Sequence, residues 1–124
     1  MDYTRTKSAA LRVTVVETPQ FIEQSSQLMT EAQHDELIAF LSANPDAGDV
    51  VSGTGGIRKL RWALAGRGKR GGARVIHFFH GAEATVFALA MFAKNERVDL
   101  TPQERNEFRQ LTKLLADTYR RPRR

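Results

Sequence analysis

The sequence predicts an α+β domain, with helices packed on one face of an antiparallel sheet and elements in the order β-α-α-β-β-β-α. Three observations carry this. Runs rich in β-branched and aromatic residues sit between glycine-rich turns in the second half of the chain. Elsewhere apolar residues recur at the spacing of one helix face. Residues suited to starting helices stand where those stretches begin. The 124 residues fit one domain, long enough to bury a core without cross-links. Its expected parts are a loose leader over 1–10, a folded domain over 11–119 and a basic tail over 120–124.

Leu11 to Val16 is apolar and β-branched and reads as the first strand. Thr18-Pro19 then offers a helix start, with proline at the first helical position, where its missing N–H costs nothing. Phe21, Ile22, Leu28, Met29, Leu37, Ile38 and Leu41 keep helical spacing. Thr30-Glu31-Ala32-Gln33 has the form of a capping box, which divides that stretch into two helices. Asn44-Pro45-Asp46 ends the second. A glycine-rich segment, 48–56, leads into strands over Ile57–Leu64 and Ala73–Phe79, joined by the glycine-rich turn 66–72. Another strand, Val86–Phe92, follows a turn at His80–Glu83. Thr101-Pro102-Gln103-Glu104 starts the last helix with cap, proline and early acid in favoured places, and Phe108, Leu111, Leu114 and Leu115 form its apolar stripe. Helices on one side leave the opposite side of the sheet free for a ligand.

Composition narrows the function classes. There is no cysteine, which excludes disulfides, thiolate zinc sites and a cysteine nucleophile. The longest apolar runs are far shorter than a membrane span, and no apolar stretch follows the first residues, so a cytoplasmic protein without signal peptide is expected. The net charge of +5 is unevenly spread. Residues 1–56 carry Arg5, Lys7 and Arg12 against eight carboxylates. Residues 50–82 carry Arg58, Lys59, Arg61, Arg67, Lys69, Arg70 and Arg74 and no carboxylate. Arg120, Arg121, Arg123 and Arg124 close the chain. A block of one sign repels itself and suits a polyanionic partner, most commonly nucleic acid, although a solvated face would carry the same residues.

Strand alternation then sorts these cations by face. In Ile57–Leu64, Leu60, Trp62 and Leu64 share one face and Lys59 and Arg61 the other. Arg58 has core-side parity but lies at the strand's beginning, where it can turn outward. Arg74 shares parity with Ile76 and Phe78, and His77 with Val75 and Phe79. The pattern alone does not say which of those two sets faces the core. Cations gathered on an open sheet face suit RNA, which brings its own nucleophile, the 2′-OH. The protein must hold in-line geometry, neutralise charge growing on phosphorus and move two protons. Arginine suits neutralisation, and a lysine crowded by cations suits proton transfer. Lys59 and Lys94 are the candidates for that transfer. His77 is an alternative, against which its strand parity suggests a half-buried, hydrogen-bonded histidine. Arg58, Arg67, Lys69 and Arg70 are expected to bind RNA, the glycines of 66–72 letting the hairpin tip grip a backbone. No metal site or cofactor is indicated.

Three motif matches fail on context. Gly66-Arg67-Gly68-Lys69-Arg70-Gly71 fits a dinucleotide-binding glycine pattern, but a strand follows it where a helix N-terminus is required. Gly68-Lys69 lacks the Ser/Thr and the helix of a phosphate-binding loop. Asp49, Glu83, Glu96 and Asp99 have no spacing that fixes a common face, and read as surface or capping groups.

Residues 48–61, from Gly48-Asp49-Val50-Val51 to Lys59-Leu60-Arg61, together with Gly68-Lys69-Arg70-Gly71-Gly72-Ala73-Arg74-Val75-Ile76, resemble the HigB-like branch of the RelE/ParE toxin superfamily. Phe92-Ala93-Lys94-Asn95-Glu96 and Asp99-Leu100-Thr101 are similar to the block that closes that family's sheet. The likeness runs from about Leu11 to Leu115. It implies a RelE-like toxin that enters the 70S ribosomal A site and cuts mRNA there without a metal. It also implies catalytic roles for Lys59, Arg61, Arg74 and Lys94. Relatives often carry tyrosine where Phe92 stands, so only stacking on a base is left to this position. The implied partner is a helix-turn-helix antitoxin, and operator DNA is met only through the toxin–antitoxin complex. Two other functions compete: a gyrase poison of the ParE kind, and an RNA-binding module without chemistry.

Overall fold

A computed structural model describes residues 12–64, 72–97 and 99–118. Its three α-helices each begin at a threonine. Thr18 Oγ1 accepts from the N–H of Phe21 at 3.1 Å and donates to Leu89 O at 3.1 Å, so the cap of α1 (Pro19–Leu28) is also a tie to the sheet. Thr30 and Gln33 form the expected capping box at the start of α2 (Glu31–Ala43). Thr101 and Glu104 exchange the same two bonds ahead of α3 (Pro102–Thr118). Each box satisfies two N–H groups that a helix start otherwise leaves unpaired.

The strands are β1 (Thr14–Glu17), β2 (Asp49–Val50), β3 (Arg58–Trp62), β4 (Ala73–His80) and β5 (Thr85–Ala93), in the spatial order β1-β5-β4-β3-β2. The α+β class is as predicted, and three details differ. β2 is an added strand, whose two residues are too few to show alternation. The sheet is mixed, because β1 runs parallel to β5 while the other pairs are antiparallel. Alternation marks a strand but carries no direction, and β1 is separated from its neighbour by most of the chain. Finally, the helices do not share one face.

α1 and α2 cover the first face, where Phe21, Met29, Leu37 and Leu41 pack with Leu60, Val75, Val86, Ala88 and Met91. α3 lies on the second, where Phe108, Leu111 and Leu115 pack against a cluster containing Ile57, Ile76, Phe78, Phe87, Leu89 and Phe92. Every residue of β5 is buried, as a strand covered on both faces requires. A bulge adjusts the fit: pairing passes from Ile76↔Ala90 to His77↔Ala88, leaving Leu89 as the extra residue, and Leu89 and Ala90 both enter the second cluster. The proposed limits at residues 10–11 and 119–120 lie outside the described residues.

Candidate active site

The β3–β4 register decides what alternation left open. Lys59 pairs with Ile76 and Arg61 with Arg74. Ile76 belongs to the second core, so Lys59, Arg61 and Arg74 lie on the α3 side of the sheet, while Leu60 and Trp62 pack toward α1 and α2. The three cations line one hollow of about 350 Å³ with Asp49 and Asp99. Arg61 is exposed, whereas Arg74 is buried and donates to Ala73 O at 3.2 Å. Two guanidinium groups directly opposite each other on neighbouring strands repel. The second face is therefore not wholly free, as α3 occupies part of it and the hollow takes the rest.

The other expected RNA contacts scatter. Arg58 pairs with His77, and its guanidinium donates to Gly48 O at 2.9 Å; its core-side parity holds. Gly48 itself is constrained: φ is +92°, and a Cβ there would come within 2.7 Å of Lys59 O. Phe92 is buried in the second core with the Arg97 guanidinium 4.4 Å from its ring centre, so the ring offers no open face for stacking. Lys94 is exposed in the turn after β5, and its backbone N–H donates to Gly72 O at 2.9 Å, beside the start of β4. Arg67, Lys69, Arg70 and the terminal arginines lie outside the described residues.

His77 is fully buried on the first face and donates through Nε2 to Ala47 O at 2.9 Å. Burial holds its pKa below the usual histidine value, and nearby Arg58 adds to this, against the Ala47 hydrogen bond. It lies on the face of the sheet opposite the hollow.

Sequence reasoning missed the acids. Asp99 Oδ1 accepts from Leu100 N–H at 2.7 Å and stands 3.1 Å from Lys59 Nζ, while Oδ2 meets Arg105 at 3.3 Å. The Leu100 N–H, with Lys59 and Arg105 behind it, holds the Asp99 carboxyl below its usual range despite an opposing effect of burial. Arg97 grips both oxygens of Glu104, at 2.7 and 2.8 Å. Burial pushes the Glu104 carboxyl up, but Arg97 and Thr101 outweigh it and leave the group below its usual range. Asp49 came within reach only through β2, where it pairs with Lys59. Nothing in the spacing of Asp49 and Asp99 marks them as neighbours, and the one available sign was that seven cations in 50–82 needed counter-charge from elsewhere.

A protein-family model described as the RelE toxin of the RelE / RelB toxin-antitoxin system matches residues 34–121. The chain belongs to the RelE toxin family. This RelE toxin is accordingly the toxin member of a toxin–antitoxin pair, with an antitoxin as partner. The matched span starts within α2 and takes in β2 to β5, α3 and every residue lining the hollow. β1 and α1 lie before it. Among the toxin's described residues, no helix is long and apolar enough to cross a membrane.

Proposed function

We propose that this RelE toxin is an endoribonuclease of the HigB-like kind that cuts mRNA in the 70S ribosomal A site, without a metal, and so stops translation in the cytoplasm. The observation that carries the reading is the convergence of Lys59, Arg61 and Arg74 on one hollow. A bridging phosphate there meets two guanidinium groups, whose planar donors match its oxygens and whose charge is permanent. The 2′-oxygen bonds to phosphorus as the bond to the 5′-oxygen breaks, leaving a 2′,3′-cyclic phosphate and a 5′-hydroxyl. Arg61 and Arg74 neutralise the charge that grows on the phosphoryl oxygens. Lys59 lines the hollow and Lys94 is exposed in the turn after β5; in this mechanism the two handle the proton leaving the 2′-OH and the proton reaching the 5′-oxygen.

The antitoxin, with a helix-turn-helix domain, silences the toxin and carries it to operator DNA. Adding the purified toxin to a translating extract is expected to create new mRNA 5′ ends within codons. Arg74→Ala should lower their rate about 100- to 1000-fold, the usual loss when a donor to a developing oxyanion is removed. Equal cleavage of naked RNA would remove the ribosome from the proposal. Identical ends from wild type and Arg74→Ala would remove the mechanism, and inhibited supercoiling without cleavage would move the toxin to the gyrase-poison class.

A further inference from the structure

A carboxylate in a phosphate-binding hollow is a cost: it repels the ligand that the cations attract. Asp99 nevertheless faces Lys59 at 3.1 Å, and its place is well secured. The Leu100 N–H fixes one oxygen and Arg105, on α3, meets the other. Just before it in the chain, Arg97 is clamped between the Phe92 ring and both oxygens of Glu104. Just after it, Leu100 is buried in the second core. Arg97 and Leu100 are thus both held against the second face, and both Asp99 carboxylate oxygens have a partner that sets them beside Lys59.

Lys59 needs such a partner. Its four-carbon stem is freely rotating and strongly hydrated at its tip, so an ammonium without a counter-ion beside Arg61 and Arg74 is driven outward toward water. We propose that Asp99 is a positioning residue, holding the Lys59 ammonium at the hollow in the orientation the reaction uses while weakening the hold on RNA phosphate. The inference rests on the ribonuclease reading for its kinetic consequence. Its two effects have opposite signs, and that separates it from a merely structural role. A fold defect lowers activity and weakens binding together. Loss of an anchor that is also a competing anion slows the chemical step and tightens binding.

The test compares wild type, Asp99→Asn and Asp99→Glu in ribosome-dependent cleavage of a defined mRNA, with thermal melting of each. Asp99→Asn is expected to lower kcat about 100-fold, the scale on which a misplaced group acts, with KM unchanged or lower. Asp99→Glu, which keeps the charge, should recover part of that kcat. Wild-type kcat in Asp99→Asn overturns the proposal. So does a raised KM with a lowered melting temperature and no recovery in Asp99→Glu. A parallel measurement needs no catalysis: affinity of the free toxin for a 2′-O-methyl RNA of the same sequence. Asp99→Asn should bind it several-fold tighter, and unchanged or weaker binding overturns the proposal. If wild type fails to cleave while the variant binds more tightly, the ribonuclease reading falls and Asp99 stands as the hollow's internal counter-anion.

Discussion

The two faces of the sheet solve different problems with the same strands. On the first, α1 and α2 close over an apolar layer whose one buried titratable group, among the described residues, is His77, bonded to the Ala47 carbonyl. On the second, α3 covers β5 and the adjoining part of β4, and the uncovered remainder is a charged hollow. β3 shows the contrast within five residues: Leu60 and Trp62 serve the first face, Lys59 and Arg61 the second. A face used wholly for packing contributes stability. A face divided between packing and charge holds like charges together and depends on the opposing acids Asp49 and Asp99 to do so.

The sharpest way to break this comparison is to damage each packing layer and ask what else changes. Leu37 is fully buried between α2 and the first face, and Leu37→Ala is expected to cost about 2–5 kcal/mol in chemical denaturation. Cleavage per folded molecule should stay near wild type, because the hollow lies across the sheet. A matching loss of kcat at full folding would mean that the faces are not separable. On the second face, α3 is seated on the glycine loop before β3, where Thr112 Oγ1 donates to Thr54 O at 3.0 Å. Gly55 has φ of +77°, and a Cβ there would meet Thr112 Oγ1 at 2.6 Å. Gly55→Ala is therefore expected to destabilise by about 1–3 kcal/mol and to loosen α3, which carries Arg105. Here stability and cleavage should fall together; a stable variant with wild-type melting would show that the seat is not rigid.

Legibility in the sequence follows the same division. Capping threonines, the α1–α2 break at Thr30 and the first-face set Leu60, Trp62 and Leu64 are local patterns, and the structure has them as read. The site of α3 was legible in principle. Val86–Ala93 is a continuous apolar run, and a strand without alternation needs cover on both faces. The side-by-side arrangement of Lys59 and Arg61 followed from period two, but placing Arg74 with them required the β3–β4 register, which no local pattern contains. Asp99 was beyond reach for a related reason. Its partner is 40 positions away in the chain, brought to it by the tertiary packing of α3 against the sheet. Arg58 and Phe92 stand apart from the hollow's lining: the Arg58 guanidinium donates to Gly48 O, and Phe92 is buried in the second core.

The smallest expected effects separate the faces by pH. On the first face, His77 has its pKa lowered, so the unfolded chain binds more protons as pH falls below about 6.5, and stability declines there. Protonating Nδ1 would bury an N–H with no acceptor among the described residues. His34 works in the opposite direction. Burial lowers its pKa, but Glu17 and Asp35 outweigh this and raise it, so its contribution is complete below about 6.5 and is lost as pH rises through the raised value. On the second face, Asp99 and Glu104 have lowered values, and their contributions are present above the ordinary carboxylate range and lost as pH falls below it. Denaturation curves from pH 3 to 8 should thus respond to His77→Gln and His34→Gln around neutrality, with slopes changed in opposite senses, and to Glu104→Gln only in acid. His77→Gln should flatten the decline below about pH 6.5, and His34→Gln should remove a loss above it. A Glu104→Gln effect centred near neutrality would mean that the two faces share one titrating network across the sheet, and their separation would fail.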